Sequence, residues 1–429
     1  MTYQECLEFL FNRLPLYQNS GHRALKYDLN NIQQLCASLD NPQETFKSVH
    51  VAGTNGKGST CHALAAITQQ AGYKTGLYTS PHLKDYRERI RVDGMPIGEQ
   101  DVVDFMVSHE ALIERLELSF FELTVALAFH HFSQEKVDIA FIEVGLGGKL
   151  DSTNILEPIV SLITNIDLDH ENILGDTLEK IAQEKAGIIK SNIPVIIGEK
   201  SPHTAQVFKE KAQAVDSPII FATDHYKVRV LKSMPELILE IHQGGSLWFS
   251  QLQLDLNGPY QSQNIPGILS CVDLLKQMDY TISDDHIRAG LQNIVDSTGI
   301  MGRWQKIADN PTVICDTGHN KAALEHLVSH LLNSCSGELH MVLGFVNDKD
   351  INGMLTLLPK AAHYYFCSAQ VPRSMEAAEL LGLAANHGLK GKAISDPNEA
   401  LAQAYKCAAS NDLIFVGGST FVVAEISGL

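Results

Sequence analysis

The sequence has 429 residues, of which 45% are hydrophobic and 19% are charged, and its formal net charge is −17. This length predicts two or three domains, and the composition is that of a globular protein. The acidic balance, without any long lysine or arginine cluster, argues against DNA or RNA as a partner. No apolar run approaches the roughly 18 residues of a membrane span, so a membrane partner is not expected either.

The cysteines are scattered along the chain and lack the C-x-x-C spacing of zinc or redox sites. The N-terminal residues Met1–Cys6 lack the basic and apolar regions of a secretory signal. These two features predict a cytoplasmic protein with reduced, mostly buried thiols. The eight cysteines are Cys6, Cys36, Cys61, Cys271, Cys315, Cys335, Cys367 and Cys407.

Short apolar runs alternate with helical patterns through the first half of the chain. A strand at Ser48–Ala52 leads into a glycine-rich turn, and the helical pattern behind that turn stops at Gly72. Arg89–Ile97 is typical of a hairpin on a sheet edge. Because the strands are apolar throughout, we predict a mostly parallel sheet covered by helices on both faces. Its further strands are predicted at Lys74–Tyr78, Asp138–Glu143, Ile159–Asn165 and Pro194–Gly198.

The second half begins with polar alternation at Tyr226–Ile241 and Leu247–Leu256, which predicts antiparallel strands. Helices follow at Gln263–Met278 and Asp284–Ile294, and the small, turn-forming residues of Asp296–Gly302 predict a linker. A second alternating series then predicts a smaller, Rossmann-like α/β domain. Its strands are predicted at Thr312–Asp316, His340–Gly344, His363–Cys367 and Leu413–Val416. The predicted division is residues 1–296, a linker at 297–302, and residues 303–429.

The glycine-rich turn reads Gly-Thr-Asn-Gly-Lys-Gly-Ser over residues 53–59. It departs from the standard G-x-x-x-x-G-K-[ST] loop, because one residue separates Lys57 from Ser59. The chemistry is the same, since N–H groups at a helix start and an ammonium suit phosphate oxygens, and a hydroxyl suits Mg²⁺. The loop lies between a predicted strand and helix, so we predict that it binds phosphate. Its residues are Gly53, Thr54, Asn55, Gly56, Lys57, Gly58, Ser59 and Thr60.

Two other strand ends carry candidate metal ligands. Glu143 ends a predicted strand, at the sheet edge where ligands of open α/β sheets bind. His170 closes the stretch Thr164–His170 after the next strand. The alternative for Glu143 is an acidic residue before a flexible turn. For His170 it is a structural histidine, because Mg²⁺ prefers oxygen ligands to imidazole.

Three further stretches carry residues that can hold a positive charge. Ala182–Ile188 lies on a predicted helix leading away from the loop, so Glu184 and Lys185 are locally typical of a solvated charge pair. Arg303 follows the linker, and His319 lies in a polar turn after a strand. An arginine and a histidine from a second domain can close over a terminal phosphate, as an arginine finger does.

In order, these stretches resemble the ADP-forming amide ligases of the Mur ligase superfamily, specifically the folylpolyglutamate synthase/dihydrofolate synthase family. The resemblance covers nearly the whole chain. It implies that ATP phosphorylates a carboxylate of a pteroate-type substrate and that the amine of L-glutamate then displaces phosphate to form an amide. The stretches that carry it are His50–Thr60, Tyr78–His82, Glu143–Asn154, Thr164–His170, Glu184–Ile188, Gly302–Gln305 and Asp316–Asn320.

The resemblance also implies roles for individual residues. Lys57 and the loop amides would hold the β- and γ-phosphates, and Ser59 with Glu143 would bind one Mg²⁺. His170 with Glu143 would bind a second Mg²⁺, and the family also allows a monovalent cation. Lys185 matches a lysine that can carry a carbamate, and a buried lysine loses its proton readily enough for that chemistry.

Further residues are assigned by resemblance to the nucleotide and the acceptor. Asn264, Arg303 and Asp316 would contact ATP, although the histidine-or-glutamine signature near Asn264 is partly altered. His319 would lie on the phosphate side. The residues implied for substrate binding are Ser80, Pro81, His82, Phe121 and Asp151, of which Phe121 is as typical of an ordinary core aromatic.

Two alternatives are weighed against this interpretation. A muramyl-peptide ligase would carry a UDP-sugar-binding domain ahead of the loop, and 52 residues before Gly53 are too few for one. A P-loop NTPase acting as a switch or binding module would explain the loop, but not Arg303 or Asp316–Asn320. Within the family, dihydropteroate, reduced folates or both stay open as acceptors. A monomer is expected.

Overall fold

Three β-sheets organise the part of the chain that the computed structural model describes, which is residues 1–14, 28–233, 236–258 and 260–429. The first sheet has the strand order β4-β3-β2-β5-β1-β6-β7-β8, and all neighbours are parallel except in the β2-β3-β4 edge. Its strands are β1 (Lys47–Ala52), β2 (Thr75–Tyr78), β3 (Ile90–Val92), β4 (Met95–Pro96), β5 (Ile139–Glu143), β6 (Val160–Ile163), β7 (Val195–Ile197) and β8 (Ile219–Phe221).

The central strands of this sheet are buried along their whole length, as their continuous apolar sequences predict. The edge hairpin β3–β4 is also confirmed. Its turn places Asp93 and Gly94 at φ 48° and 77°, the conformation that suits the right-handed twist of a hairpin. Strand β8 was not predicted, because it has only three residues and two of them are partly exposed.

The second sheet is a three-stranded antiparallel meander, as the polar alternation predicts. The first predicted stretch, Tyr226–Ile241, divides into two strands, and residues 234–235 within it lie outside the described residues. The strands are β9 (Tyr226–Lys232), β10 (Leu237–Gln243) and β11 (Ser246–Leu254). Their buried side chains share one hydrophobic core with the first sheet.

The third sheet has the order β12-β13-β17-β14-β15-β16, and every pair but β12–β13 is parallel. Its strands are β12 (Gln305–Asp309), β13 (Thr312–Cys315), β14 (Leu339–Leu343), β15 (His363–Phe366), β16 (Gly391–Ala393) and β17 (Leu413–Gly417). The four predicted strands are present. The two edge strands β12 and β16 were missed, because their largely exposed residues carry no apolar signal. The α/β fold class, with a larger parallel-dominated sheet and a separate C-terminal sheet, is confirmed.

Helices cover the faces of these sheets. Those of the first 200 residues are α1 (Tyr3–Glu8), α2 (Asn30–Ser38), α3 (Lys57–Gln70), α4 (Glu99–Ser108), α5 (Glu110–Leu116), α6 (Phe120–Glu135), α7 (Glu171–Leu174) and α8 (Leu178–Lys185). The later ones are α9 (Ala205–Ala214), α10 (Ala222–His225), α11 (Gln261–Gln277), α12 (Asp284–Gln292), α13 (Ile294–Thr298), α14 (Lys321–Ser334), α15 (Ile351–Leu355), α16 (Ala377–Asn386), α17 (Pro397–Cys407) and α18 (Thr420–Glu425). Across the described residues, none of the helices combines the length and the apolarity needed to cross a bilayer.

Helix α3 is the central helix of the first half. It is buried on all sides from Gly58 to Thr68, because it lies between the first sheet and a layer that includes α11, α12 and the second sheet. Such all-round burial requires the small and apolar residues found in Cys61–Ile67. Helix α3 begins at the glycine-rich turn, so the core holds the turn in place.

The predicted linker at residues 297–302 includes the end of a helix. Its first residues belong to α13, which is a short helix rather than an irregular segment. The Asp255 carboxylate accepts the Val295 N–H at 2.7 Å, and Thr298 shares a buried 2.7 Å hydrogen bond with His62 on α3. These contacts come from distant parts of the chain, which is why local composition did not reveal the helix. Gly299, at φ 65°, ends it.

Candidate active site

The predicted site residues surround one large cavity of about 790 Å³. The cavity lies where the carboxyl ends of the first sheet's strands face those of the third sheet, so both halves of the chain line it. Seventeen of the twenty predicted residues are among its lining. They are Gly53, Thr54, Asn55, Gly56, Lys57, Gly58, Ser59, Ser80, Pro81, Phe121, Glu143, Asp151, His170, Lys185, Arg303, Asp316 and His319.

Hydrogen bonds to the segment after β6 hold the glycine-rich turn. The Thr54 N–H donates to the Asn165 carbonyl at 3.0 Å, and the Asn55 N–H donates to the Asn165 side chain at 2.9 Å. Thr164 Oγ1 donates to the Asn55 carbonyl at 2.6 Å. The first glycine of the turn, Gly53, lies at φ 149°, and an added Cβ would fall 1.8 Å from Thr164 Oγ1. The turn therefore has one shape, set by its neighbouring strand.

The amino end of α3 is open towards the cavity. Its N-cap is Gly56, at φ 80°, which provides no side-chain cap for the first N–H groups of the helix. Uncapped N–H groups at a helix start form an anion site. Lys57 Nζ lies 3.0 Å from the carbonyls of Gly53 and Thr54, so its positive charge is held over the turn.

Glu143 and Ser59 present oxygen atoms beside this helix start. Glu143 is buried, and its Oε2 accepts the Ser80 N–H at 3.0 Å. An added Cβ at Gly58 would lie 3.4 Å from that oxygen, which shows how closely the carboxylate approaches the turn. Burial raises the pKa of Glu143, and the positive charge of Lys57 opposes that rise.

His170 lies on the same cavity wall, immediately before α7. Burial, together with the nearby positive charge of Lys349, lowers the pKa of His170 to about 3. The imidazole is therefore neutral at physiological pH, which is the form that binds metals. A hydroxyl, a carboxylate and an imidazole are suitable donors for a divalent cation in this cavity.

Asp169 joins the two halves of the chain. Its carboxylate forms an ion pair with the Lys349 ammonium and accepts the Asn320 side-chain N–H at 3.2 Å. Asn320 also donates to Asn55 Oδ1 at 2.9 Å, so the C-terminal half contacts the glycine-rich turn directly. Burial alone would raise the pKa of Asp169, yet His319 and Lys349 hold it well below its ordinary value.

Arg303 and Asp316 line the cavity from the C-terminal half. The Arg303 guanidinium donates to Thr317 Oγ1 and to the Gly302 carbonyl, the latter at 3.2 Å. Its other nitrogen lies 3.8 Å from the position of an added Cβ at Gly58, and so beside the phosphate loop. Asp316 is buried and accepts the Tyr260 hydroxyl at 2.6 Å. Its further acceptor contacts are with the N–H groups of Trp304 and Gly318.

Comparison with known proteins identifies the family to which the chain belongs. The family model described as "Mur ligase middle domain" matches residues 51–265, and that described as "Mur ligase, glutamate ligase domain" matches residues 302–420. The dihydrofolate synthase/folylpolyglutamate synthase of Bacillus subtilis is 31% identical, over 99% of this chain and 98% of the relative. The chain belongs to the folylpolyglutamate synthase/dihydrofolate synthase family of Mur ligases.

Solved structures of this family agree with the fold. Escherichia coli FolC in complex with DHPP and ADP superposes with a TM-score of 0.84 at 30% identity, covering 99% of this chain and 96% of that one. A bifunctional folylpolyglutamate synthase/dihydrofolate synthase with Mn, AMPPNP and L-glutamate bound gives the same TM-score and identity, covering 99% and 97%. The family resemblance predicted from the motifs is thereby confirmed.

Three predicted residues do not line the cavity. Thr60 is buried in the first turn of α3, and His82 accepts the Nε–H of the cavity-lining Arg89 at 2.7 Å. Asn264 lies directly beneath Gly56, where its Oδ1 is 2.1 Å from the position of an added Cβ. Its side chain packs against the turn without lining the cavity, so in this structure it supports the turn.

Asn264 acts together with Gln261, which the sequence analysis did not single out. Gln261 Oε1 accepts the Asn264 side-chain N–H at 2.9 Å, and Gln261 Nε2 donates to Ser59 Oγ at 3.1 Å. The first turn of α11 therefore orients the hydroxyl that suits a metal. The altered glutamine signature near Asn264 was the available signal, since Gln261 lies one helical turn before it.

The residues predicted for substrate binding differ in what their side chains contact. Phe121 is half-buried, lines the cavity and packs against both Gly145 and a hydrophobic core. Its neighbour Glu122 instead caps α6, where Glu122 Oε2 accepts the Ser119 N–H and hydroxyl, each at 2.8 Å. Asp151 lines the cavity but accepts the Leu146 and Thr153 N–H groups, so it also shapes its own turn.

The local interpretation of Lys185 is wrong. Its side chain is buried, and its Nζ donates to the Gly53 carbonyl at 2.9 Å. Helix α8 therefore ends at the phosphate loop instead of leading away from it. Close backbone packing permits this, because an added Cβ at Gly148 would lie 2.9 Å from the Glu184 carbonyl oxygen. Residue spacing does not show which end of a helix faces a site across the sheet.

Four further cations line the cavity that sequence analysis missed: Arg89, Arg91, Lys349 and Arg373. Arg89 immediately precedes β3 and Arg91 lies within it. The sequence of this segment predicted only an edge hairpin, not a functional site. Lys349 lies several residues beyond the end of β14 at Leu343, so the strand-end rule applied to Glu143 does not single it out. These residues concentrate positive charge locally in a chain whose net charge is −17.

Replacing Lys349 with methionine is expected to lower both the thermal midpoint and the turnover. Both partners of the Lys349–Asp169 pair have side chains only 9% exposed, so the variant leaves a buried carboxylate without its cation, at a cost on the order of 3 kcal/mol. Calorimetry and phosphate release would be compared with Lys360→Met, which removes an exposed lysine of the same half. An unchanged midpoint would contradict the stabilising role of the pair.

Proposed function

We propose that this protein is an ATP-dependent ligase that joins L-glutamate to dihydropteroate, to a reduced folate, or to both. A carboxylate oxygen of the acceptor attacks the γ-phosphorus and ADP leaves. The amine of glutamate then attacks the acyl carbon, loses a proton and expels phosphate as the amide forms. The observation that carries the proposal is the cavity itself, where an anion-binding helix start, Glu143 and the second half's Arg303 and His319 meet.

The loop and Arg303 would act on the transferred phosphoryl group. The N–H groups at the start of α3 bind phosphate oxygens, and Lys57 neutralises the β- and γ-phosphates. Arg303 approaches from the C-terminal half, beside Gly58. Positive charge from both halves of the chain stabilises a transition state whose negative charge spreads over the equatorial oxygens. Asp316 and Asn264 are proposed on the nucleotide side, and His319 on the phosphate side.

Ser59, Glu143 and His170 would hold divalent cations. The arrangement fits, because the oxygen donors of Ser59 and Glu143 are buried beside the helix start and the imidazole of His170 is neutral. When bound, Mg²⁺ supplies positive charge that neutralises the phosphate oxygens. Gln261 fixes the Ser59 hydroxyl and the Ser80 N–H fixes the Glu143 carboxylate. We propose two such sites, one at Ser59 and Glu143 and one at Glu143 and His170.

Lys185 is expected to carry a carbamate in a pH-dependent manner. Burial and the charge of Lys57 lower its pKa to about 7, so the amine is neutral above that pH and protonated below it. Only the neutral amine attacks CO₂, forming an N–C bond and releasing a proton. In ¹³C-bicarbonate, a carbamate resonance should be strong at about pH 8 and weak at about pH 6.

Lys185→Arg is the control for this measurement, since arginine keeps the positive charge but forms no such carbamate. The same resonance in that variant, or equal intensity at both pH values in the wild type, would exclude the assignment to Lys185.

The acceptor would bind against the wall formed by Ser80, Pro81 and Phe121, with Asp151 and His82 shaping the loops behind it. The proposed organisation is a monomer with an ATP-binding unit at residues 1–296 and a glutamate-ligase unit at 303–429. The solution mass from light scattering would test the monomer.

The decisive experiment measures phosphate release from Mg-ATP with L-glutamate, using 7,8-dihydropteroate or tetrahydrofolate as the acceptor and mass spectrometry of the products. Gain of one glutamate by dihydropteroate establishes the synthase, and gain by tetrahydrofolate establishes chain extension. ATP hydrolysis that is indifferent to both acceptors would instead support the nucleotide-switch alternative and reject the ligase.

A further inference from the structure

A second cluster of ligand-type side chains lies at the opposite edge of the third sheet. Glu338 precedes β14, His340 lies within β14, His363 begins β15 and Asp412 precedes β17. These three strands are adjacent and parallel, so their amino ends meet at the edge away from the cavity. None of the four residues lines the cavity, and the proposed ligase reaction does not use them.

Three of the four residues have ligand atoms close enough to share one ion. Those of Glu338, His340 and Asp412 lie within 4.8 Å of one another. His340 Nε2 is 3.3 Å from Asp412 Oδ2, and His363 Nε2 is 2.9 Å from Glu338 Oε2. A tetrahedral zinc ion with bonds of about 2.0–2.2 Å places its ligand atoms roughly 3.3–3.6 Å apart. The His340–Asp412 spacing lies in this range, and His363 joins the group through its contact with Glu338.

Half of the cluster is already held in position. His340 is buried, and its Nδ1 lies 3.2 Å from the Tyr365 hydroxyl, which directs Nε2 towards Asp412. Asp412 accepts the Glu338 N–H at 2.7 Å and the Ala409 N–H at 2.6 Å. Hydrogen bonds of this kind orient ligands in metal sites.

The other half can adjust to an ion. The side chains of His363 and Glu338 are 50% and 70% exposed. His363 is the register partner of His340 across β14 and β15, and the two rings stack with centroids 4.9 Å apart. The cluster therefore combines two donors that are fixed by hydrogen bonds with two exposed donors that can move towards a bound ion.

We propose that Glu338, His340, His363 and Asp412 form a binding site for a divalent transition-metal ion, with Zn²⁺ as the expected occupant. Two imidazoles with two carboxylates favour Zn²⁺ over Mg²⁺ or Ca²⁺, which prefer all-oxygen sites. The bound ion ties together the amino ends of three strands and stabilises the C-terminal half. This site is independent of the proposed catalytic function.

The test is a Zn²⁺ titration of the full chain by calorimetry, comparing the wild type with Glu338→Gln/His363→Gln. Both replaced side chains are exposed, so the variant is expected to fold. Glu379→Gln/His387→Gln makes the same chemical changes on α16 and the residue after it, and serves as the matched control. Because Glu143 and His170 can also take a metal, the readout is the difference between variants.

We expect the Glu338→Gln/His363→Gln variant to lose one equivalent of Zn²⁺ or to bind it at least about tenfold more weakly, while the control keeps it. With Co²⁺, the d–d absorption of a tetrahedral ion should appear in the wild type and the control but not in the variant. Identical titrations of the wild type and the variant would overturn the proposal, as would an equal loss in the control. Phosphate release with Mg-ATP should be unchanged in the variant.

Discussion

Lys57→Ala is expected to lower phosphate release from Mg-ATP by about 10³-fold or more, with the fold intact. The Lys57 ammonium is held over the phosphate loop by two 3.0 Å hydrogen bonds to loop carbonyls. Removing it leaves the β- and γ-phosphate charge uncompensated beside the Glu143 carboxylate. Because the charge to be stabilised grows in the transition state, the loss should fall mainly on kcat.

Lys47→Ala is the matched control, since Lys47 is exposed at the start of β1 and makes no contact with the loop. Circular dichroism and the thermal midpoint would verify that both variants fold. Near-normal turnover by folded Lys57→Ala would contradict the phosphate-binding loop and, with it, the proposed ligase mechanism.

Arg303→Ala is expected to reduce kcat by about 10³-fold, the scale on which arginine fingers act. The Arg303 guanidinium lies beside Gly58 and reaches the loop from the C-terminal half. It also donates to Thr317 Oγ1, so the variant removes a structural contact along with the charge. Thr317→Val removes that contact, together with the Thr317 Oγ1 hydrogen bond to the Gly302 carbonyl, but keeps the Arg303 charge, so it should retain most of the activity.

Two further variants sharpen this test. Arg303→Lys keeps a positive charge without the planar fork and should have intermediate kcat. Arg229→Ala removes an arginine that is 75% exposed on β9 and should behave as the wild type. Unchanged phosphate release in Arg303→Ala would show that the C-terminal half does not complete the site in this way.

The elements that were predicted correctly are those whose burial produces a local pattern of apolar residues. Strands such as β1 and β5 are buried on both faces because helices cover both sides of a parallel sheet. The edge strands β12 and β16 escaped prediction because exposed edges need no apolar residues. Helix α13 escaped prediction because the carboxylate that accepts its Val295 N–H belongs to Asp255, 40 residues away in the chain.

The residues of the candidate site likewise divide into those that local sequence predicts and those that only the fold brings together. Glycines, a lysine and a serine at the end of a strand predict a phosphate loop, because the backbone itself forms that site. Lys185 was misread from its neighbours, since only the sheet topology brings the end of α8 to the Gly53 carbonyl. Lys349 joins Asp169 across 180 residues of chain, a distance over which periodicity carries no information.

The sequence by itself determined the fold class, the phosphate loop and the family, because backbone geometry and hydrophobic periodicity act over a few residues at a time. The tertiary structure alone decided which charges face one another across the cavity, why Gln261 lies beneath Ser59, and that two histidines and two carboxylates meet at the far edge of the third sheet. These contacts depend on the register and order of parallel strands, whose connections are long, so the chain places them only when it folds.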